Sequence, residues 1–172
     1  MGADAPGGGG EMSKIYLNLG CGEDIREAPG PGWLAINHDR ARFGPGVDQT
    51  HDLNRLPWPW HHDSIHVLIA NSVLEHLTLT LVESMNECWR ILMPGGQLDV
   101  KLPLWDRAKA HLDPTHRWFV AKGWFDNFDP DRERYRRYGK LYGIMPWRID
   151  YEGAPTDAWC LRGILIKRPV EA

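Results

Sequence analysis

The 172-residue chain is poor in cysteine, and its three cysteines, Cys21, Cys88 and Cys160, lie far apart. With no CxxC pair, neither a zinc ribbon nor a dithiol redox motif is supported, and reduced thiols are expected. No apolar run approaches the ~20 residues that a membrane-spanning helix requires. A strong charge excess is missing too: the net charge is −3, which argues against indiscriminate nucleic-acid binding. The charge is uneven, with 6 Lys/Arg against 13 Asp/Glu in residues 1–100 and 14 against 10 in residues 101–172. Residues 1–12, which include Gly7 to Gly10, lack the basic and apolar regions of a signal peptide. They read as a disordered leader, and a cytoplasmic setting is expected.

What the chain does have is an apolar strand running into a Gly-x-Gly turn, Ile15-Tyr16-Leu17-Asn18-Leu19-Gly20-Cys21-Gly22. Such a run fits a buried parallel strand. The two glycines let the backbone bend and approach a ligand without a Cβ in the way. In open α/β sheets, ligands settle at the carboxyl ends of the strands, where this turn lies. The ten residues 23–32 close with Pro29-Gly30-Pro31-Gly32, which leaves room for at most one helical turn in the first crossover.

Trp33 to His38 reads as a second strand ending at Asp39, and Val47 to Asp52 as a short third strand or extended segment. The alternating prolines of Leu56-Pro57-Trp58-Pro59-Trp60 exclude helix and central strand. The two tryptophans there either cover a ligand or pack beneath a long loop. Ile65 to Ala70 is a further strand. Thr80 to Met93 reads as a helix with Val82, Met85, Trp89 and Leu92 on one face, stopped by Pro94-Gly95-Gly96. Gln97 to Leu102 resumes as strand. The alternation predicts a parallel, doubly wound sheet. Beyond it, Arg117 to Phe128 is expected to be helical, and Tyr138 to Ile149 and Trp159 to Lys167 a final strand pair joined through residues 152–155.

Acidic side chains mark two strand ends. Asp39 lies 19 residues after Gly20, a spacing at which a carboxylate accepts hydrogen bonds from ribose hydroxyls. Asp52 is suited to accept from an exocyclic amine, with Leu53 over the ring face. Together with Asn37-His38-Asp39, Ser72-Val73-Leu74-Glu75-His76 and Arg90-Ile91-Leu92-Met93-Pro94-Gly95-Gly96, these segments resemble class I S-adenosylmethionine-dependent methyltransferases, particularly the small type 11 group. The resemblance covers residues 14–102.

That resemblance implies a single α/β domain over residues 13–172, with residues 14–102 holding the cofactor and residues 103–172 the acceptor side and the final strands. Its Rossmann-like sheet would be mostly parallel and seven-stranded, with an antiparallel last strand and a shortened first crossover helix. It implies that Gly20, Cys21, Gly22 and Asn71 lie by the methionine part of S-adenosylmethionine, Asp39 at the ribose, and Asp52 and Leu53 at adenine. Asn18 joins this set where relatives often carry an acid, and Asp24 replaces the usual third glycine.

On the acceptor side, His111, Asp113 and His116 are the candidates for touching substrate. His116 and His76 are the candidates for a base, against a packing role for each. No metal is expected, because Pro114 breaks the helical spacing of the 111–116 histidines. Arg132, Arg134, Arg136, Arg137 and Lys140, with Tyr135 and Tyr138, suit either phosphate and base contacts or, preferably, a solvated edge. A small molecule or sugar-like metabolite is the expected acceptor and nucleic acid the less favoured partner, with no membrane partner. The alternative is a non-catalytic cofactor-binding or structural relative.

Overall fold

A computed structural model of the chain describes residues 13–153 and 158–170. The expected leader, residues 1–12, lies outside the described residues, as do Ala154 and Pro155 of the expected last turn. Seven strands form one sheet in the order β3-β2-β1-β4-β5-β7-β6. They are β1 (Lys14–Leu19), β2 (Trp33–Asp39), β3 (Gln49–Thr50), β4 (Ile65–Asn71), β5 (Leu92–Pro103), β6 (Trp147–Gly153) and β7 (Cys160–Lys167). The pairs β2–β3, β1–β2, β1–β4 and β4–β5 are parallel, and β7 runs antiparallel between β5 and β6. This is the expected mostly parallel α/β sheet with an antiparallel last strand.

The helical layer is thin. One long helix, α1 (Leu81–Ile91), connects β4 to β5, and a short one, α2 (Glu133–Tyr138), precedes β6. A capping box starts α1: the Thr80 side chain accepts from Glu83 N–H, and the Glu83 carboxylate accepts from Thr80 N–H at 2.8 Å. The face that α1 buries is Leu81, Met85, Cys88 and Ile91, rotated from the expected Val82, Met85, Trp89 and Leu92. Trp89 is drawn to the helix flank because its indole N–H donates to the carbonyls of Pro146 and Arg168. Pro94-Gly95-Gly96 does follow the helix. It bulges out of β5, since Leu92 pairs with Ile65 and Gln97 with Val67.

No helix forms between β1 and β2. The crossover is pinned instead by two buried asparagines facing each other across the strands. Asn18 Nδ2 donates to Asp24 O at 2.8 Å and to Asn37 Oδ1 at 3.1 Å. Asn37 Oδ1 also accepts from Arg26 N, and its Nδ2 donates to Arg26 O. Side chains thus satisfy the backbone groups that a helix would otherwise pair internally.

The core joins Leu17, Leu19, Leu68, Met85, Leu98 and Leu165 with the aromatic segment Phe125, Phe128, Tyr135 and Trp147. Two expectations are corrected in that segment. Residues 117–128 are not a helix: Val120 makes a bridge with Leu104, and only Trp124–Asn127 forms a single 3-10 turn. Asp113-Pro114-Thr115-His116, just before residues 117–128, forms a turn. The last strand pair also begins later than expected, at Trp147, because α2 and the turn after it occupy residues 133–146. Gly123 at φ 77 turns the chain into the 3-10 turn, and Phe125 then packs on Gly163 of β7.

Candidate active site

A cavity of about 240 Å³ opens at the carboxyl ends of β1, β2 and β4. Gly20 and Asp39 line one wall, Asp52 and Leu53 another, and Ser72, Val73 and His76 a third. Gly20 has φ +60, and a Cβ there would lie 2.3 Å from Val73 Cγ2. Only glycine therefore lets the turn close against the segment after β4. The turn is held to β2 by Asp39: Gly22 N–H donates to Asp39 Oδ2 at 2.8 Å, and Arg40 N–H donates to Oδ1. These contacts leave the carboxylate at the cavity wall with acceptor capacity to spare.

Asp52 is oriented by its own loop. Its Oδ1 accepts from the backbone and side-chain amides of Asn54, which hold its carboxyl below the usual range. Leu53 is 5% exposed, and its carbonyl accepts from the Trp58 indole at 2.9 Å. Both tryptophans of the proline-rich tract are buried, so they form a floor beneath the loop and do not cover the cavity. The Trp60 indole donates to Gln49 Oε1, and its ring meets His38 edge-on.

Arg90 secures this floor. Its guanidinium pairs bidentately with Glu87 and donates to the carbonyls of Trp58 and Trp60 at 3.0 Å each. Glu87 in turn accepts from Trp58 N–H. The arginine of the Arg-x-Leu-Met-Pro-Gly-Gly segment is thus a brace for the loop that carries Asp52 and Leu53.

Of the residues expected to bind cofactor, Gly20, Asp39, Asp52 and Leu53 come together on the cavity. Gly22 stands just behind, through its bond to Asp39. Asn18 is used in the crossover, and Cys21 is buried with its N–H on the His38 carbonyl and its thiol pushed up by burial. Asn71 does not line the cavity, and its Oδ1 is buried without a partner. His38, Arg40, His51 and Asn54 line it without having been singled out in the sequence. They flank Asp39 and Asp52, so adjacency was the only available signal. His38 is fully buried, with Nε2 on the His51 carbonyl, and burial lowers its imidazole to about 4.

Around the residues expected to touch substrate, a second, more open cavity of about 570 Å³ is lined by Asp113, Pro114, Thr115, His116 and Trp159. His111 points elsewhere: its Nε2 meets the Trp105 carbonyl at 2.8 Å and its ring stacks on Phe119. His76 and His116 bridge the two cavities, their ring centroids 4.8 Å apart. Burial, followed by the neighbouring His116, lowers the His76 imidazole. Beneath them Glu75 has no exposed surface, and burial raises its carboxyl to about 7. The 3-10 turn Leu74–His76 turns it inward.

The basic segment is largely occupied. Arg137 pairs with Glu133, Arg132 with Asp126, and Arg136 donates to the Asp131 carbonyl. Tyr135 is buried, with its hydroxyl on the Ile144 carbonyl. No helix among the described residues is long and apolar enough to cross a membrane.

No family model and no curated protein sequence matches the chain. Solved structures do. A chain of the Haloferax volcanii complex between the Trm112 methyltransferase activator and a candidate methyltransferase matches with TM-score 0.63 at 13% identity, over 93% of this chain and 84% of that one. An S-adenosylmethionine-dependent methyltransferase of Archaeoglobus fulgidus matches with TM-score 0.59 at 15% identity, over 91% and 87%. The [4+2]-cyclase SpnF matches with TM-score 0.61 at 13% identity, over 91% and 75%. The chain therefore shares the fold of solved S-adenosylmethionine-dependent methyltransferases.

Proposed function

We propose that the chain is a methyltransferase that binds S-adenosylmethionine in the cavity between the Gly20 turn and Asp39. The observation that carries this reading is the convergence of Gly20, Asp39, Asp52 and Leu53 on one cavity at the strand ends. A tight glycine turn, a carboxylate for a ribose and a carboxylate beside an apolar ring cover are the groups a nucleoside-bearing sulfonium needs. Asp39 would accept from the ribose hydroxyls, and Asp52 and Leu53 would meet adenine. Gly20, backed by Gly22, would leave room for the methionine part.

Methyl transfer asks little else of the protein. A nucleophile of the acceptor attacks the methyl carbon as the carbon–sulfur bond breaks, and the sulfonium leaves as a neutral thioether. In-line alignment then supplies most of the rate. The side of the site near His76, His116 and Asp113 is where an acceptor would approach, and a small molecule or sugar-like metabolite suits its size. A cofactor-binding relative without methyl transfer is the second reading. It is favoured by the missing crossover helix and by the cyclase named among the structural neighbours, since one fold hosts several chemistries.

Incubation with methyl-labelled S-adenosylmethionine and pooled metabolites or nucleic acids tests the reading. Label transferred to a metabolite pool is the expected result. Cofactor binding with no transfer to any pool would favour the second reading.

A further inference from the structure

Glu75, His76 and His116 each offer one ligating atom, and these three atoms lie within 4.8 Å of one another. Two of the three come from the turn after β4 and one from the loop beyond β5, so the fold assembles the group from segments distant in sequence.

The hydrogen bonds around the two imidazoles determine which nitrogen is free. His116 Nδ1 meets the Ala110 carbonyl at 2.7 Å. A carbonyl only accepts, so Nδ1 carries the proton and Nε2 the lone pair. His76 Nδ1 meets Thr115 Oγ1 at 2.8 Å, while that hydroxyl spends its own proton on Asp113 Oδ1 at 2.6 Å. His76 Nδ1 must therefore donate, and its Nε2 is also left with a lone pair. Metal-bound histidines are oriented in this way, with the distal N–H on a carbonyl or a carboxylate-linked group.

Glu75 supplies the independent observation. Its side chain is fully buried, and neither Oε1 nor Oε2 has a hydrogen-bond partner. A buried carboxylate without donors is expensive unless a cation or proton meets it. Here two imidazoles, each with a ring nitrogen left without a proton by its hydrogen bonds, lie beside an unpartnered carboxylate. We propose that Glu75, His76 and His116 form a binding site for one divalent transition-metal ion.

Two imidazoles and one carboxylate suit zinc or manganese and give magnesium too few oxygens. Bonds of ~2.0–2.2 Å bring tetrahedral ligands to about 3.4 Å apart, so binding draws the His116 loop toward the turn that carries Glu75. The absence of metal expected from the 111–116 spacing does not apply to this set, because His111 is replaced by Glu75 and His76. With the ion present, both Nε2 atoms are ligands and neither acts as a base. The inference is read without S-adenosylmethionine and stands apart from the methyltransferase reading.

The test is titration of the chelator-stripped full chain with Mn2+, followed by electron paramagnetic resonance, and with Co2+, followed by its visible absorption. One bound ion per chain is expected, with Co2+ absorption of low-coordinate type. Glu75→Gln and His116→Ala, each checked for native circular dichroism, should weaken binding at least about tenfold. Thr115→Val should weaken it roughly tenfold through the His76 tautomer. His62→Ala, at an exposed histidine outside the site, should leave it unchanged. No bound ion would overturn the proposal, as would an affinity lost in His62→Ala or retained in both Glu75→Gln and His116→Ala. Should Glu75→Gln fail to fold, His116→Ala on the outer loop decides.

Discussion

Asn18 on β1 and Asn37 on β2 sit opposite each other in the parallel register, and the Asn18 amide donates to Asn37 Oδ1 at 3.1 Å. This pair replaces a helix. Asn18 Nδ2 also serves the Asp24 carbonyl, and Asn37 clasps both backbone groups of Arg26. The crossover beside the cavity at the strand ends is therefore ordered by side chains.

Asn18→Asp, which restores the acid that relatives often carry, should be harmful here. An aspartate has no donor for Asp24 O or Asn37 Oδ1, so three acceptors would face one another. A loss of about 2 kcal/mol is expected, from the cost of an unmade buried hydrogen bond. Urea unfolding of the two proteins measures it, and equal midpoints would contradict the assigned role.

Gly20→Ala should destabilise the fold by about 2 kcal/mol through overpacking, because its Cβ meets Val73 Cγ2 at 2.3 Å. Val73→Ala in the same chain should recover only part of this. The Val73 Cβ itself stays 2.7 Å away, and φ at residue 20 remains +60. A double-mutant cycle in thermal unfolding reads the coupling.

Arg90→Met should release the floor beneath the loop that carries Asp52 and Leu53. It removes a nearly buried partner from Glu87 and leaves the Trp58 and Trp60 carbonyls without donors. Breaking such a pair costs about 3 kcal/mol. Hydrogen exchange should quicken first in residues 53–60, before any change in β1 or β5.

His38 makes stability depend on pH. In the unfolded chain its imidazole takes a proton below about 6.5, and in the folded chain not until about 4. The unfolded state binds more protons in that window, so stability is present above 6.5 and is lost as pH falls toward 4. The loss attributable to His38 is about 3 kcal/mol by pKa linkage. Glu75, raised to about 7, acts in the opposite direction over its own window. The effect is therefore read as the difference between the wild type and His38→Asn, by denaturant unfolding at pH 7 and pH 4.5.

Much of the sheet was legible because buried strands and the Pro-Gly-Gly break leave strong local patterns in residues 15–22, 33–39, 65–71 and 92–102. The acidic strand ends, Asp39 and Asp52, were legible from spacing. What stayed hidden depends on contacts distant in sequence. Residues 117–128 have helical spacing, yet Val120 pairs with Leu104, a bridge that no local pattern reports. The inward turn of Glu75 depends on a single 3-10 turn, and His116 reaches it from 41 residues away. Asn18 read as a variant ligand because its partners, Asp24 and Asn37, meet it only across the folded crossover.

Calorimetric titration of the protein and its Asp39→Ala variant with S-adenosylhomocysteine tests the proposed cofactor site most directly. The wild type should bind one molecule, and Asp39→Ala should bind at least about tenfold more weakly, the equivalent of one lost charge-assisted hydrogen bond. No binding by the wild type at millimolar ligand, or equal affinity in the two proteins, would contradict the assignment of this cavity.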